Sequence, residues 1–509
     1  MVRPCLWLAS IMLLVSPFFV ASGQEMPIAL TLEDALDIAL KDSYEAKTLA
    51  LQLLEAEKNV SAARGRFKTN AAIDLQAPNF TEQVQAINVP NEPTSYNTTG
   101  SIQWRGGLNI EQPLPTNGSL SLESSLRQRR DSVFLETLES PKDTKRFFTS
   151  VRFTLEQPLF VPNTLKLGLE RANLELELAE RSYTRTELDI IFDVTDRFYA
   201  MYRATRELEI ARDELEQQQQ SFDLARQKYA AGLIPEVEAL QMEVDLAQSQ
   251  NGVLGAEGTL SRESDRFKLS VGLPLTQVVA VETDFALSAF EVDPRMALEH
   301  GLNYRSEVRE TQINRRLAEI IVKQTDALRK VRVDLRGFYE LSGVSDAELG
   351  VGAGAESLFR SSLRDIERRP KNRGVFVNVT VPLWDSGVNR SQVEAAEAVV
   401  QQSELNMVQN RRLVERDIRN AITRFEEARG RIDVLRQSED VAVRSYEITL
   451  ARFDNGDITS QELALDRDRL TEARTAYLNA YIQYQLAVAD LKRQTLYDFE
   501  NGQSLVQPD

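Results

Sequence analysis

Apolar positions recur at spacings of three and four along two very long, otherwise polar stretches, 164–230 and 388–454. In the first, Val194, Phe198, Met201, Leu208, Ala211, Leu215, Phe222, Ala225 and Tyr229 form a heptad-like stripe among Glu, Gln, Arg and Asp. That period predicts a helix packed on helix partners. No proline follows Pro162 before residue 230, and none lies between Ser386 and Asn455, so each stretch reads as one unbroken helix. At 1.5 Å per residue such a helix is about 100 Å long, wider than a single globular core. Some stripe positions are polar (Thr205, Gln218, Glu439). A helix wall with water on both sides tolerates them, and an ordinary coiled coil is the alternative that the stripe leaves open.

Both long helices end in the same way. "KYAAGLIPEVEAL" (228–240) and "RFDNGDITSQELA" (452–464) each read base, aromatic, two residues, Gly, one residue, Ile. Gly456 follows Gly232 by 224 residues. At that offset "VRFTLEQPLF" (151–160) falls on "VFVNVTVPLW" (375–384). Between strand and tip, Val194, Phe198, Met201 and Leu208 fall on Ile418, Ile422, Phe425 and Ile432. Further upstream Ala35 of "TLEDALDIAL" meets Ala297 of "DPRMALEHGL" at an offset of 262, so the first copy carries 38 extra residues. The chain is therefore a duplication. Each copy reads helix, strands, long helix, Gly tip, helix. The first repeat spans 24–285, with helices at 31–66, 164–230 and 235–270 and strands within 68–160. The second spans 286–498, with helices at 293–329, 388–454 and 460–496 and strands within 331–384. A partly extended linker (271–285) joins the copies, and 499–509 is a C-terminal tail.

The strands have a different period. Val375, Val377, Val379, Val381 and Leu383 alternate with Phe376, Asn378, Thr380 and Pro382, as Val151, Phe153, Leu155 and Leu159 do in the first copy. One face is apolar and the other largely polar. A half-buried soluble sheet fits this, and so does a membrane barrel with its apolar face toward lipid. Two features favour the barrel. No later apolar run is long enough for a spanning helix, and Trp104 and Trp384 fall in strand regions, where barrels place aromatic girdles. Strands in lipid must close a ring. The extra residues hold "LNIEQPLPTNGSLSLESSL" (108–126), an alternating hairpin pattern around "PTNG". Two further strands there give four in the first copy and two in the second; the alternative is a hairpin outside the wall. Segments 79–97 and 345–372 are expected as extracellular loops.

Composition narrows the function classes. The 509-residue chain has a net charge of −17, which argues against nucleic-acid partners. Residues 1–23 (MVRPCLWLASIMLLVSPFFVASG) read as a secretory signal. Its removal takes away Cys5, the sole cysteine, and leaves −18. His300 is the single histidine, read as a structural surface residue, so classical His/Cys zinc sites are absent. No GxGxxG, P-loop or nucleophile elbow occurs, and neither enzyme chemistry nor a cofactor is expected.

The ordered set of features resembles the TolC family of outer-membrane efflux channels. These are the duplicated order, "QPLF" and "VPLW" before the long helices, "VGLPL" (271–275) after the first return helix, and the two Gly tips. The resemblance covers nearly all of the chain beyond residue 23. It implies a mainly α fold with a membrane β-barrel: a homotrimer whose strands pool into one outer-membrane barrel and whose helices pool into a long α-helical barrel in the periplasm. It implies a passive exit duct of a tripartite efflux or type I secretion system, coupled to an inner-membrane pump through a periplasmic adaptor. A periplasmic structural coiled-coil protein without transport is the alternative. With four strands in the first copy, the trimer would close 18 strands in place of the family's usual 12.

The family's features transfer only in part. Gly232, Leu233 and Ile234, with Gly456, Asp457 and Ile458, are expected to form the tips and an adaptor-docking surface. Tyr229 and Phe453 are expected to pack at the aperture. The family's pore acids match Glu462, with the second falling on Leu465 and Asp466 nearby; Glu238 matches an acid of the closed state. The family's Tyr and Arg partners for that acid are Phe453 and Ile458 here, so the hydroxyl and the guanidinium are both missing. Glu462, repeated around a trimer axis, is expected to form a cation-attracting constriction.

Overall fold

The computed structural model describes residues 28–87, 94–135, 142–283, 290–345 and 353–506. In the first copy the elements are β1 (Ile28–Leu30), α1 (Leu32–Asp42), α2 (Tyr44–Gly65), β2 (Asn70–Ile87), β3 (Ser95–Pro113), β4 (Ser119–Leu135), β5 (Lys142–Leu159), α3 (Thr164–Ala230), α4 (Glu236–Val271) and β6 (Val279–Val281). In the second they are α5 (Pro294–Tyr304), α6 (Ser306–Ala327), β7 (Arg332–Val344), α7 (Ala355–Arg368), β8 (Asn372–Thr380), α8 (Val388–Asn455) and α9 (Ser460–Thr495), then β9 (Tyr497–Asp498) and β10 (Gln503–Ser504). The expected signal segment lies outside the described residues.

The opening helices predicted at 31–66 and 293–329 are each broken. The first divides at Ser43, the second at Arg305, positions equivalent under the upstream offset of the duplication. Ser43 and Arg305 both leave helical geometry for extended backbone, with ψ of 148° and 129°. The Ser43 hydroxyl accepts the Ala46 N–H at 3.1 Å, which starts the new helix. A hydrophobic period does not register a one-residue break, because the stripe resumes after it.

The chain packs as two compact units that cut across the two copies. Each unit draws segments from both, because α3 and α8 are far too long for either to hold a whole copy. The unit of residues 28–46, 190–283 and 425–489 contains the parallel pair β1 and β6, in register from Ile28–Val279 to Leu30–Val281. Its core is aromatic: Phe198 lies edge-on to Phe267 at 6.1 Å, Tyr199 to Tyr481 at 6.4 Å, and Phe425 against Tyr484 at 5.8 Å. Gln218 corrects the expectation of a water-washed stripe: it is fully buried, and its Nε2 donates to the Met242 carbonyl at 3.2 Å. Burial of an amide is tolerated where a backbone acceptor meets it.

The other unit contains an antiparallel meander in the order β2-β3-β4-β5-β7-β8. The 108–126 hairpin is part of this sheet, joined by a tight turn at 114–118 where Leu114 N–H meets Gly118 O at 2.8 Å. Its strands are longer than the sequence pattern predicts. Residues 79–87 and 95–97 belong to β2 and β3, so the 79–97 loop shrinks to the connection between them. β2 bulges between Gln76 and Asn79, around Pro78, which has no N–H to give a ladder. The bulge keeps Phe80 and Val84 on the face of Ile73 and Leu75. Trp104 lies in β3, but Trp384 does not lie in a strand: β8 ends at Thr380, ahead of Pro382. The expected loop 345–372 carries the helix α7, which packs on β5 and β7.

Strand register separates two faces. Ile73, Leu75, Ile102, Leu108, Ile110, Leu120, Leu122, Phe153, Leu155, Leu335, Val375 and Val377 share one. Several are widely exposed, Leu75 at 82% and Val375 at 74%. The opposite face carries cross-strand pairs: Arg105–Glu123 at 3.7 Å, Arg152–Glu340 at 2.9 Å and Arg336–Glu156 at 2.6 Å. Among the described residues, β2 and β8 are the ends of the order and pair on one side only. In the same unit His300 is structural and half-buried. Its ring contacts the Thr495 carbonyl at 2.8 Å and the Ser504 hydroxyl at 3.1 Å, tying down the hairpin of β9 and β10.

The C-cap of α4 offers a stability test. Gly272 has φ of 87°, and a Cβ there would sit 2.7 Å from the Asp42 carbonyl oxygen. Gly272→Ala is expected to cost about 1–3 kcal/mol, from left-handed strain plus a backbone clash. Gly65→Ala, with nothing near its Cβ, should leave stability unchanged. Thermal unfolding midpoints of the two variants in detergent check this.

Candidate functional site: the two helical tips

Both long helices end in the same hydrogen-bonded motif. At the first tip Leu233 N–H donates to Lys228 O at 2.9 Å and Gly232 N–H to Tyr229 O at 2.9 Å. At the second, Asp457 N–H donates to Arg452 O at 2.9 Å and Gly456 N–H to Phe453 O at 3.0 Å. Gly232 and Gly456 take φ of 71° and 83°. This is a Schellman C-cap, which needs a residue at ease with positive φ. It satisfies the last carbonyls while turning the chain through a few residues. Pro235 then sits at the N-cap of α4 in extended geometry. Thr459 starts the other return helix, its Oγ1 accepting the Glu462 N–H at 3.3 Å.

Under the tips lies a core of Ala225, Met242, Tyr446, Phe453, Leu463 and Leu470. It corrects part of the sequence expectation. Ile234 and Ile458 are half-buried against this core, while Leu233 (73% exposed) and Asp457 face outward. The β-branched pair is used to close the turn, so the residue between Gly and Ile is the one of each Gly-x-Ile triplet whose side chain faces outward, Leu233 beside an exposed Val237 at the first tip and Asp457 at the second. Phe453 is 1% exposed and Tyr229 43%, so Phe453 packs inside the helical tip rather than presenting its ring outward. Lys228, which the pattern did not single out, holds Phe453: its Nζ lies 4.4 Å over the ring and donates to the Phe453 carbonyl. The repeated base–aromatic order at each tip was the signal.

The acids divide by environment. Glu462 is exposed in the first turn of α9, three residues after Thr459, so it also occupies the acidic position of a capping-box pattern. Asp466 is mostly buried and bonded across to α8, accepting from the Thr449 hydroxyl and from Ser445 Oγ at 3.2 Å, and along α9 from Arg469 at 2.9 Å. The Thr449 hydrogen bond, with help from Arg469 and Ser445, holds its carboxyl below the usual range. Glu238 lines a cleft of about 650 Å³ with Glu214, Asp245, Ser460, Arg467 and Asp468. The Arg467 side chain is 10% exposed and pairs with Asp468 at 3.2 Å. The side chain at 458 brings no guanidinium, but Arg467, nine residues further along the chain in α9, brings one to the cleft that Glu238 lines.

Among the described residues no group of His, Cys, Asp and Glu is arranged to hold a metal ion. Among them, too, no helix is long and apolar enough to cross a membrane.

Asp466 yields a pH prediction. Its folded pKa is depressed, so its contribution is present above the unfolded carboxylate value, near 3.9, and is lost as pH falls through the folded value. Asp466→Ala should lower unfolding free energy by about 1–2 kcal/mol at pH 7. That difference should shrink below about pH 4, as read from denaturant midpoints across pH.

Comparison with known proteins follows the same lines. The profile of the outer membrane efflux protein family matches residues 139–273 and 298–495, both long helices and both tips included. The outer membrane protein TolC of Vibrio cholerae is 21% identical over 379 residues, covering 72% of this chain and 81% of that protein. The CmeC outer membrane channel of Campylobacter jejuni shares the fold at a TM-score of 0.67 and 15% identity, over 92% of this chain and 86% of that one. VceC of Vibrio cholerae does so at 0.64 and 14%, over 91% and 95%. The matched segments make up more than half of the chain, and with the duplicated tips and the amphipathic sheet they place it in the outer membrane efflux protein family, as a TolC-like channel protein of the outer membrane.

Proposed function

We propose that three copies of this chain close one channel, the passive exit duct of a tripartite efflux or secretion system. The observation that carries this reading is the open, six-stranded sheet, apolar on one face and unpaired along β2 and β8. In hydrocarbon each unpaired backbone group costs several kcal/mol, so the edges of one copy require the edges of another. Three copies supply 18 strands. At a tilt of about 40° that ring is about 36 Å across, against about 24 Å for 12 strands. A soluble coiled-coil protein would instead leave Leu75, Val375 and Val377 facing water.

The sheet also supports an orientation. Outer-membrane barrels have short periplasmic turns and longer outer loops. Here the tight turn at 114–118 lies at the strand ends that lead to α2, α3, α6 and α8, while the longer connections lie at the other. That end is periplasmic in this reading, and Leu233 and Asp457 are then the outward residues offered to an adaptor protein linked to an inner-membrane pump. Glu462 forms the acidic ring at the narrow end.

Single cysteines along β2, combined with single cysteines along β8, should cross-link between copies and produce trimers on denaturing gels. Cross-links confined within one copy would refute the shared ring. Glu462→Gln should reduce cation selectivity and divalent-ion block of single channels in planar bilayers; unchanged values would remove Glu462 from the constriction.

A further inference from the structure

We infer that α7 is a docking surface for the phosphate-bearing headgroups of the outer leaflet. The helix is fixed to the sheet by one face. Leu358 and Ser362 are fully buried, Phe359 meets the Phe147 ring edge-on at 6.4 Å, and Ser362 Oγ lies 2.9 Å from Thr149 Oγ1. Val344 N–H donates to Asp365 Oδ2 at 2.8 Å. Gly343 admits the helix backbone: a Cβ there would stand 2.1 Å from the Ser362 carbonyl oxygen.

The side of the sheet matters. Phe147 and Thr149 share a strand face with Val151, Phe153 and Leu155, and Gly343 shares it with Tyr339 and Leu341. So α7 lies on the apolar face, at the strand ends remote from the 114–118 turn. A copy joining at either free edge pairs with β2 or β8, not with β5 and β7 beneath α7. The helix therefore remains open to lipid in a closed ring.

Its outer surface is basic in an acidic protein. From 355 to 373 the chain places Arg360, Arg364, Arg368, Arg369, Lys371 and Arg373 against Glu356, Asp365 and Glu367, while the whole chain carries −17. Arg360 and Arg369 pair with Glu356 and Asp365. Arg364 and Arg368 are exposed and make no ion pair among the described residues. Leu363, 41% exposed, stands beside Arg364. An amphipathic helix lying flat at the edge of an apolar band, with arginines outward and one apolar side chain among them, fits the boundary where acyl chains meet phosphates. Guanidinium groups bind phosphate oxygens two at a time.

This inference rests on the proposed orientation of the barrel, and the two fail separately. The probe is diphosphorylated lipid A added to the detergent-purified full chain, with lipid retention read by native mass spectrometry. The wild type should retain lipid A in preference to its dephosphorylated form. R364Q/R368Q should weaken retention by roughly tenfold or more, at about fivefold per basic side chain, and R364K/R368K should restore most of it. Trimer mass and single-channel conductance should stay unchanged in both. Equal retention of the dephosphorylated lipid, or unaltered retention by R364Q/R368Q, overturns the proposal. Displacement of lipid A by millimolar inorganic phosphate would mark a free-phosphate site and overturns it too. Loss of trimers or conductance in the wild type would instead sink the channel reading.

Discussion

A backbone amide in hydrocarbon has no water to fall back on, and the sheet of this protein is organised around that constraint. Among the described residues, every strand of the six-stranded sheet except β2 and β8 is paired on both sides. The outward face can be apolar because lipid covers it, and the opposite face can carry Arg–Glu pairs because it is kept from lipid. Neither face would be stable if the two edges stayed open. The β2 and β8 ladders are thus an unfinished hydrogen-bond system, which the proposed association of three copies would complete.

The extra hairpin obeys the same constraint. β2 and β5 run antiparallel to each other with β3 and β4 inserted between them. Adding two strands to a meander preserves the direction of every flanking strand, so nothing on either side has to be rebuilt. Adding one would reverse the sense of the remainder. A change of ring size by paired strands is therefore open to this architecture at small structural cost.

At the tips the constraint is the helix end rather than the sheet edge. A long helix leaves its last carbonyls without partners, and the Schellman bonds at Gly232 and Gly456 answer that locally. Each turn is closed by burying an Ile and supported beneath by Phe453 and its neighbours. Directly after the glycine, Leu233 faces outward on one tip and Asp457 on the other. The two tips share a backbone but differ in the chemistry they present.

Sequence alone was sufficient wherever the physical rule is local or periodic. The duplication, the long helices, the glycine tips and the alternating strands are each written in spacings of two, three and four, or in one residue that tolerates positive φ. The break at Ser43 and Arg305 and the extent of β2 were hidden, since a single-residue interruption and a polar strand end leave the period nearly intact. The helix α7 carried a readable signal at Leu358, Ser362 and Ile366, but its meaning depends on which sheet face it covers. Tertiary structure alone decided that Gln218 would be buried, that Asp466 would be bonded to α8 while Glu462 stayed free of it, and that Arg467 would line the cleft of Glu238. Those outcomes turn on which residues distant in the chain come within hydrogen-bond reach, and one-dimensional spacing does not encode that distance.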